Sequence, residues 1–153
     1  MSDVVSLETR SRMMSSIRGK DTKPELIVRK ALFAAGFRFR LHRRDLPGVP
    51  DVVLPGKRVA IFVHGCFWHM HAGCKNAKLP FSRQDFWRKK LGRNVERDKE
   101  NMDALMRLDW RVLVVWECAT RKKGAEQALP SVLASWISGG EATGELSGDS
   151  RSS

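Results

Sequence analysis

The chain has 153 residues, of which 42% are hydrophobic, enough for one domain with its own core. Its net charge of +11 points to a polyanionic partner, most often nucleic acid. An N-terminal apolar h-region and an apolar run near ~18 residues are both missing, so neither secretion nor membrane insertion is expected, and a cytoplasmic location is.

Residues 1–20 are polar and basic, with Arg10, Arg12, Arg18 and Lys20. Met13, Met14 and Ile17 can share one face of a short helix there. That face either packs on the body or belongs to an arm that wraps DNA, with Met14 or Ile17 as a minor-groove wedge. Thr22-Lys23-Pro24-Glu25 predicts a capping box with proline in the first turn. The helix that follows stops at Gly36. Glu25 closes the cap, or faces an active site from the helix N-terminus. Phe37 to Leu41 alternates with period two and predicts a strand with one basic face.

Leu46-Pro47-Gly48-Val49-Pro50 predicts a loop, then Asp51 to Leu54 a second strand. Pro55-Gly56-Lys57 makes a tight turn into a third strand, Arg58 to Val63, giving a hairpin. Ser82 with Asp85 is expected to cap a helix that Gly92 bends or breaks. Its exposed side is basic: Arg88, Lys89, Lys90, Arg93, Arg97 and Lys99. Trp110 to Trp116 reads as a buried strand ended by Glu117-Cys118, and Leu129 to Ile137 as a closing helix. Residues 138–153 lack periodicity and are expected to be a disordered tail. The order predicts an α/β fold, a mixed central sheet flanked by helices. Residues 1–20 form the arm and 21–137 the main domain.

The richest stretch runs from Val63 to Cys74, V-H-G-C-F-W-H-M-H-A-G-C. Three cysteines make an odd count, a poor fit to a disulfide framework; beside histidines they suggest metal. Cys66, Cys74 and Cys118 can share a structural zinc, with His69 or His71 as the fourth ligand. A closed zinc has no open position, so the chemistry belongs elsewhere. Asp51 and His64 lie on neighbouring predicted strands, and Asp98 on the long helix could approach them. A carboxylate suits Mg²⁺, and an imidazole suits acid–base work near neutral pH. On a basic protein this combination points to phosphodiester hydrolysis. Phe67, Trp68 and Trp87 either pad the metal loop or stack on and wedge between bases.

His64-Gly65-Cys66-Phe67-Trp68-His69, preceded by Leu46-Pro47-Gly48-x-Pro50-Asp51, resembles the very short patch repair (Vsr) DNA mismatch endonucleases. So do Phe86-Trp87, Asn94-Val95-Glu96-Arg97-Asp98 and Trp110-Arg111-Val112-Leu113-x-Val115-Trp116-Glu117-Cys118; the likeness spans residues 9–137. The resemblance implies a restriction-endonuclease-like fold, a structural Zn²⁺, and a Mg²⁺-dependent nick 5′ of the thymine in a T:G mismatch, a product of 5-methylcytosine deamination. It puts Mg²⁺ on Asp51 and the backbone carbonyl of Val63. His64 takes the place of the lysine in related nucleases, and His69 with Asp98 is the general base. Glu25 supports metal-bound waters. Zinc falls to Cys66, His71, Cys74 and Cys118. Phe67, Trp68 and Trp87 wedge from the major groove, Met14 and Ile17 from the minor groove. The sequence departs from the family pattern at Val63, which replaces a threonine, and in the one-residue-longer separation of His71 from Cys74. Phe62 stands where wider nuclease families have an acid, as in other members.

The expected partner is double-stranded DNA with a T:G pair, with other mismatch-repair proteins as further candidates. No membrane is involved, and no spare apolar stripe is left for a dimer, so a monomer is expected. Two competing readings are a non-catalytic zinc-stapled DNA reader, which has no use for Asp51 and His69, and a nuclease of other specificity, which needs no aromatic wedges.

Overall fold

A computed structural model describes residues 22–74 and 77–148. The elements are α1 (Lys23–Ala34), β1 (Arg40–Leu41), β2 (Val52–Leu54), β3 (Val59–His64), α2 (Gln84–Arg107), β4 (Arg111–Trp116), α3 (Glu117–Arg121), α4 (Ala125–Ser138) and β5 (Thr143–Leu146). The sheet order is β1-β2-β3-β4-β5. β1 to β3 pair antiparallel, and β3, β4 and β5 run parallel. Among the described residues, no helix is long and apolar enough to cross a membrane.

Period-two alternation divides the sheet between two cores. Val52, Leu54, Val59, Ile61, Leu113 and Val115 face α1 and α4, where Val28, Leu32, Leu129, Leu133 and Trp136 meet them. Val53, Ala60, Phe62, Val112, Val114 and Trp116 face the other way, against Leu46, Leu105 and Trp110. Leu113 is wholly buried at the middle of the first core, and its truncation to alanine costs about 2–5 kcal/mol.

Local chemistry explains the helix ends. Thr22 Oγ1 accepts the Glu25 N–H at 3.4 Å, and Pro24 sits in the first turn, where no amide partner is needed. Gly36, with φ +90°, turns the chain out of the last turn. The sequence leads to the remaining elements with five differences. The alternating run 37–41 contributes only Arg40–Leu41 to the sheet. Ser82 does not cap α2: Arg83 stands at the N-cap, left-handed and without a side-chain cap bond. Gly92 does not break α2, which is one 24-residue helix. Glu117 and Cys118 do not merely end β4; they open the short helix α3.

The fifth difference is the stretch expected to be a disordered tail. Residues 143–146 pair with 112–115 as β5. Their signal is weak because Thr-Gly-Glu-Leu has little apolar content of its own. Its place is set by contacts at longer range. A Cβ on Gly144 would lie 2.2 Å from Trp136 Nε1, so the strand packs against α4 where only glycine fits. Glu145 Oε1 accepts the Trp116 indole N–H at 2.6 Å. Residues 149–153 lie outside the described residues.

Candidate active site and metal cluster

The C-terminal end of β3 collects most of the chemistry. Asp51 opens β2, and its Oδ2 accepts the Val63 N–H at 2.7 Å across the hairpin. That bond fixes the carboxylate beside the last turn of β3, where His64 is 5% exposed. The loop after β3 folds back by His69 N–H to Gly65 O and His71 N–H to Cys66 O bonds, at 3.1 and 2.9 Å. His69 thereby stacks on His64, ring centroids 3.8 Å apart and nearly parallel. α2 supplies Asp98, whose Oδ2 lies 2.5 Å from His69 Nδ1. Asp51, Val63, His64, His69 and Asp98 line one cavity of about 320 Å³.

Glu25, on α1, does not line this cavity but lies behind His42, which does. Glu25 is 2% exposed, and Oε1 is 3.1 Å from both Arg29 and His42 Nε2. His42 was not singled out by the sequence reading, yet it lines the same cavity. One signal could have found it: continuing the β1–β2 ladder by one pair puts His42 opposite Asp51, and its N–H donates to Asp51 O at 3.2 Å.

Burial sets the protonation states. It pushes Asp51 up to about 7, against the pull of the Val63 N–H, with the Glu25 charge adding to the rise. It pushes His64 down to about 3, helped by His69, so His64 is neutral at physiological pH. A carboxylate that burial drives toward protonation is a strong acceptor for a divalent cation, and Asp51 Oδ1 is the atom left for it. The donor set fits such an ion.

The thiols form a second centre. Ligand atoms of Cys66, His71, Cys74 and Cys118 all lie within 4.8 Å of one another. Cys118 Sγ is 3.5 Å from His71 Nδ1. Three thiols and one imidazole at this spacing fit a tetrahedral zinc. Burial pushes the Cys66 thiol up to about 12, with Cys118 and Cys74 adding to the rise, so without a metal Cys66 stays protonated and a metal is what would ionise it. His71 also stacks on Trp116 at 4.1 Å, and Gly148 N–H donates to Cys118 Sγ at 3.2 Å. The two loop histidines are therefore divided: His71 lies with the thiols and His69 with Asp98.

Phe67, Trp68 and Trp87 form one aromatic cluster, edge to face, with centroids 5.1 to 6.0 Å apart. All three are half-buried. Phe86, which the sequence alone did not assign, meets Trp87 edge to face at 5.2 Å and is 44% exposed, and Phe81 in the connector before α2 is 99% exposed. Arg83 lies over the Phe86 ring at 4.5 Å. The basic residues Arg88, Lys89, Lys90, Arg93, Arg97 and Lys99 are all exposed along α2. Met14 and Ile17 lie outside the described residues.

Carboxylates and imidazoles that converge on a cavity beside a basic helix define the equipment of a nuclease. The comparisons with known proteins are specific. A family model described as "DNA mismatch endonuclease Vsr" matches residues 2–76. The chain is 49% identical over 128 residues to the "Type II nicking enzyme V.XorIIP" of Xanthomonas oryzae pv. oryzae, covering 84% of this chain and 93% of that relative. It is 43% identical over 148 residues to the "DNA mismatch endonuclease Vsr" of Escherichia coli (strain K12), covering 95% and 94%. A third relative, the "Type II nicking enzyme V.NmeAIP" of Neisseria meningitidis serogroup A, is 42% identical over 123 residues, 80% of this chain and 87% of its own length. The chain belongs to the Vsr family of DNA mismatch endonucleases.

Proposed function

We propose that this chain nicks duplex DNA on the 5′ side of the thymine in a T:G mismatch, by Mg²⁺-dependent phosphodiester hydrolysis. The observation that carries the reading is the single wall of Asp51, His64 and the His69–Asp98 pair around one cavity. The family and the basic face of α2 support DNA as the substrate.

Asp51 and the Val63 carbonyl would hold Mg²⁺, which would supply charge stabilisation to the phosphate and to the leaving oxygen. The chain's own groups do the rest. Asp98 orients His69 through Nδ1 and leaves Nε2 toward the cavity, where it takes a proton from the attacking water. The water oxygen bonds to phosphorus as the P–O bond to the leaving strand breaks. Asp98 then stabilises the imidazolium. His64, neutral and stacked on His69, adds no opposing charge as that proton arrives. Glu25 positions the cation's waters. Cys66, His71, Cys74 and Cys118 hold a structural zinc that fixes the 64–74 loop. Phe67, Trp68 and Trp87 wedge into the duplex beside the mismatch, with Met14 and Ile17 entering from the other groove. The protein acts as a monomer; residues 1–20 form an arm around the DNA and 21–137 the catalytic domain.

A strand-labelled duplex tests this. Wild type is expected to cut the thymine strand of the T:G duplex once, with Mg²⁺ and not with EDTA, and to leave the matched and A:C duplexes intact. Asp51→Ala is expected to lose at least about 10³-fold, in line with the removal of a principal electrostatic contribution. Undiminished nicking by Asp51→Ala removes the assignment. Binding of the mismatched duplex without any cut favours a non-catalytic reader.

A further inference from the structure

We propose that His42 is a nitrogen ligand of the catalytic cation, which raises the affinity of the centre for Mn²⁺ above that of an all-oxygen site. The inference rests on the reading of Asp51 as the cation's carboxylate.

One donor atom each from Glu25, His42 and Asp51 lies within 4.8 Å of the others. His42 Nε2 is 3.1 Å from Glu25 Oε1 and 4.0 Å from Asp51 Oδ1. An octahedral cation with ligands at roughly 2.1 Å puts neighbouring donors about 3.0 Å apart and opposite donors about 4.2 Å apart. The His42–Asp51 separation is close to that of opposite ligands on one ion, and the 3.1 Å contact with Glu25 is a hydrogen bond that the ion would replace when His42 turns its lone pair to it. The other Asp51 oxygen is occupied by the Val63 N–H, so Oδ1 is the one turned to His42.

The backbone holds His42 in place. Its φ is +47°, a left-handed conformation that strains a residue with a Cβ. The strain is maintained by the His42 N–H bond to Asp51 O. The residue that carries the imidazole is thus tied to the residue that carries the carboxylate. Only a fifth of the His42 side chain is exposed.

Charge and ligand type then set the affinity. The Arg29 guanidinium at 3.1 Å offsets the Glu25 carboxylate, which leaves one net negative charge with Asp51 ionised. Mg²⁺ prefers oxygen and keeps its waters, so it gains least from an imidazole. Divalent first-row ions accept nitrogen, with affinity rising from Mn²⁺ to Co²⁺.

The test uses the full zinc-loaded chain without DNA, with Mn²⁺ as the probe. Pulsed electron paramagnetic resonance is expected to show ¹⁴N modulation on bound Mn²⁺ in the wild type. His42→Gln and His42→Ala are expected to lose that modulation and about tenfold in Mn²⁺ affinity. Mg²⁺ affinity, read by competition, is expected to change less. His42→Gln keeps an N–H for Glu25, so a hydrogen-bonding role alone predicts wild-type Mn²⁺ affinity in that variant. Zinc content and circular dichroism verify the fold of each. Absence of ¹⁴N modulation in the wild type overturns the proposal whatever the variants do. So does modulation that persists in both variants, since His64 or His69 would then be its source. Nicking of the T:G duplex is scored separately: a nick without nitrogen on Mn²⁺ leaves the function standing and this ligand rejected, and the reverse result does the opposite.

Discussion

Asp51 and His64 sit at opposite ends of one titration argument. Asp51 holds its proton to about 7 against an ordinary 3.8, so the folded chain keeps a proton that the unfolded chain has lost. Its contribution to stability is full below pH 3.8 and lost as pH rises through about 7. His64 stays neutral down to about 3 against an ordinary 6.5, so its contribution is present above pH 6.5 and lost as pH falls toward 3. Between pH 4 and 6.5 the two slopes oppose. Asp51→Asn removes one of them. Without added Mg²⁺, that variant is expected to lose melting temperature on going from pH 6.5 to 4.5 by more than wild type does. Identical pH profiles would rule the pairing out. At this scale the sequence was partly readable. Asp51, His64 and Asp98 are candidates by residue type alone. His42 was not among them, because its place depends on the ladder partner of a two-residue strand. The division of His69 from His71 was likewise invisible to spacing alone, since either can follow Cys66 in a loop; it takes the hydrogen-bonded fold of residues 65–74 to separate them.

At the scale of elements, legibility depends on how local the signal is. α1 announced itself by cap, proline and terminal glycine, which act within a few residues. α2 was read as interrupted because Gly92 costs about 1 kcal/mol of helix propensity relative to alanine. Nothing lies within 4 Å of a Cβ built on Gly92, and the helix is continuous through it. Gly92→Ala is therefore expected to raise the melting temperature by about 2–4 °C. A lower melting temperature would mean that the glycine is needed for packing rather than tolerated. β5 is the opposite case. Its four residues carry almost no local signal, and its position comes from Trp136, Trp116 and Cys118. Gly144→Ala, which drives a Cβ into Trp136, is expected to cost roughly 1–3 kcal/mol, measured by urea denaturation. Retention of full stability there would show that α4 and β5 separate easily.

The described residues form a sheet between two cores, with the candidate site at one end, exposed cations along α2 and the rest of the excess positive charge spread over the chain. That charge, +11 overall, has a thermodynamic signature. Each phosphate contact made by an exposed cation of α2 contributes about −0.9 to the slope of log affinity against log salt. Lys89→Ala with Arg93→Ala is expected to flatten that slope by up to about 2 on matched and mismatched duplexes alike. An unchanged slope would place the DNA on another face. Cys118 adds a consequence in time. The amide that reaches its sulfur belongs to Gly148, thirty residues downstream. At about 5–20 residues per second of translation, the thiol waits roughly 1.5–6 s for that amide. In that interval all four thiol-cluster residues have been made while β5 has not. If the cluster holds zinc, that amide closes on Cys118 only when the chain is nearly complete, so a chain ending before Gly148 is expected to release the metal to a chelator faster than the full chain.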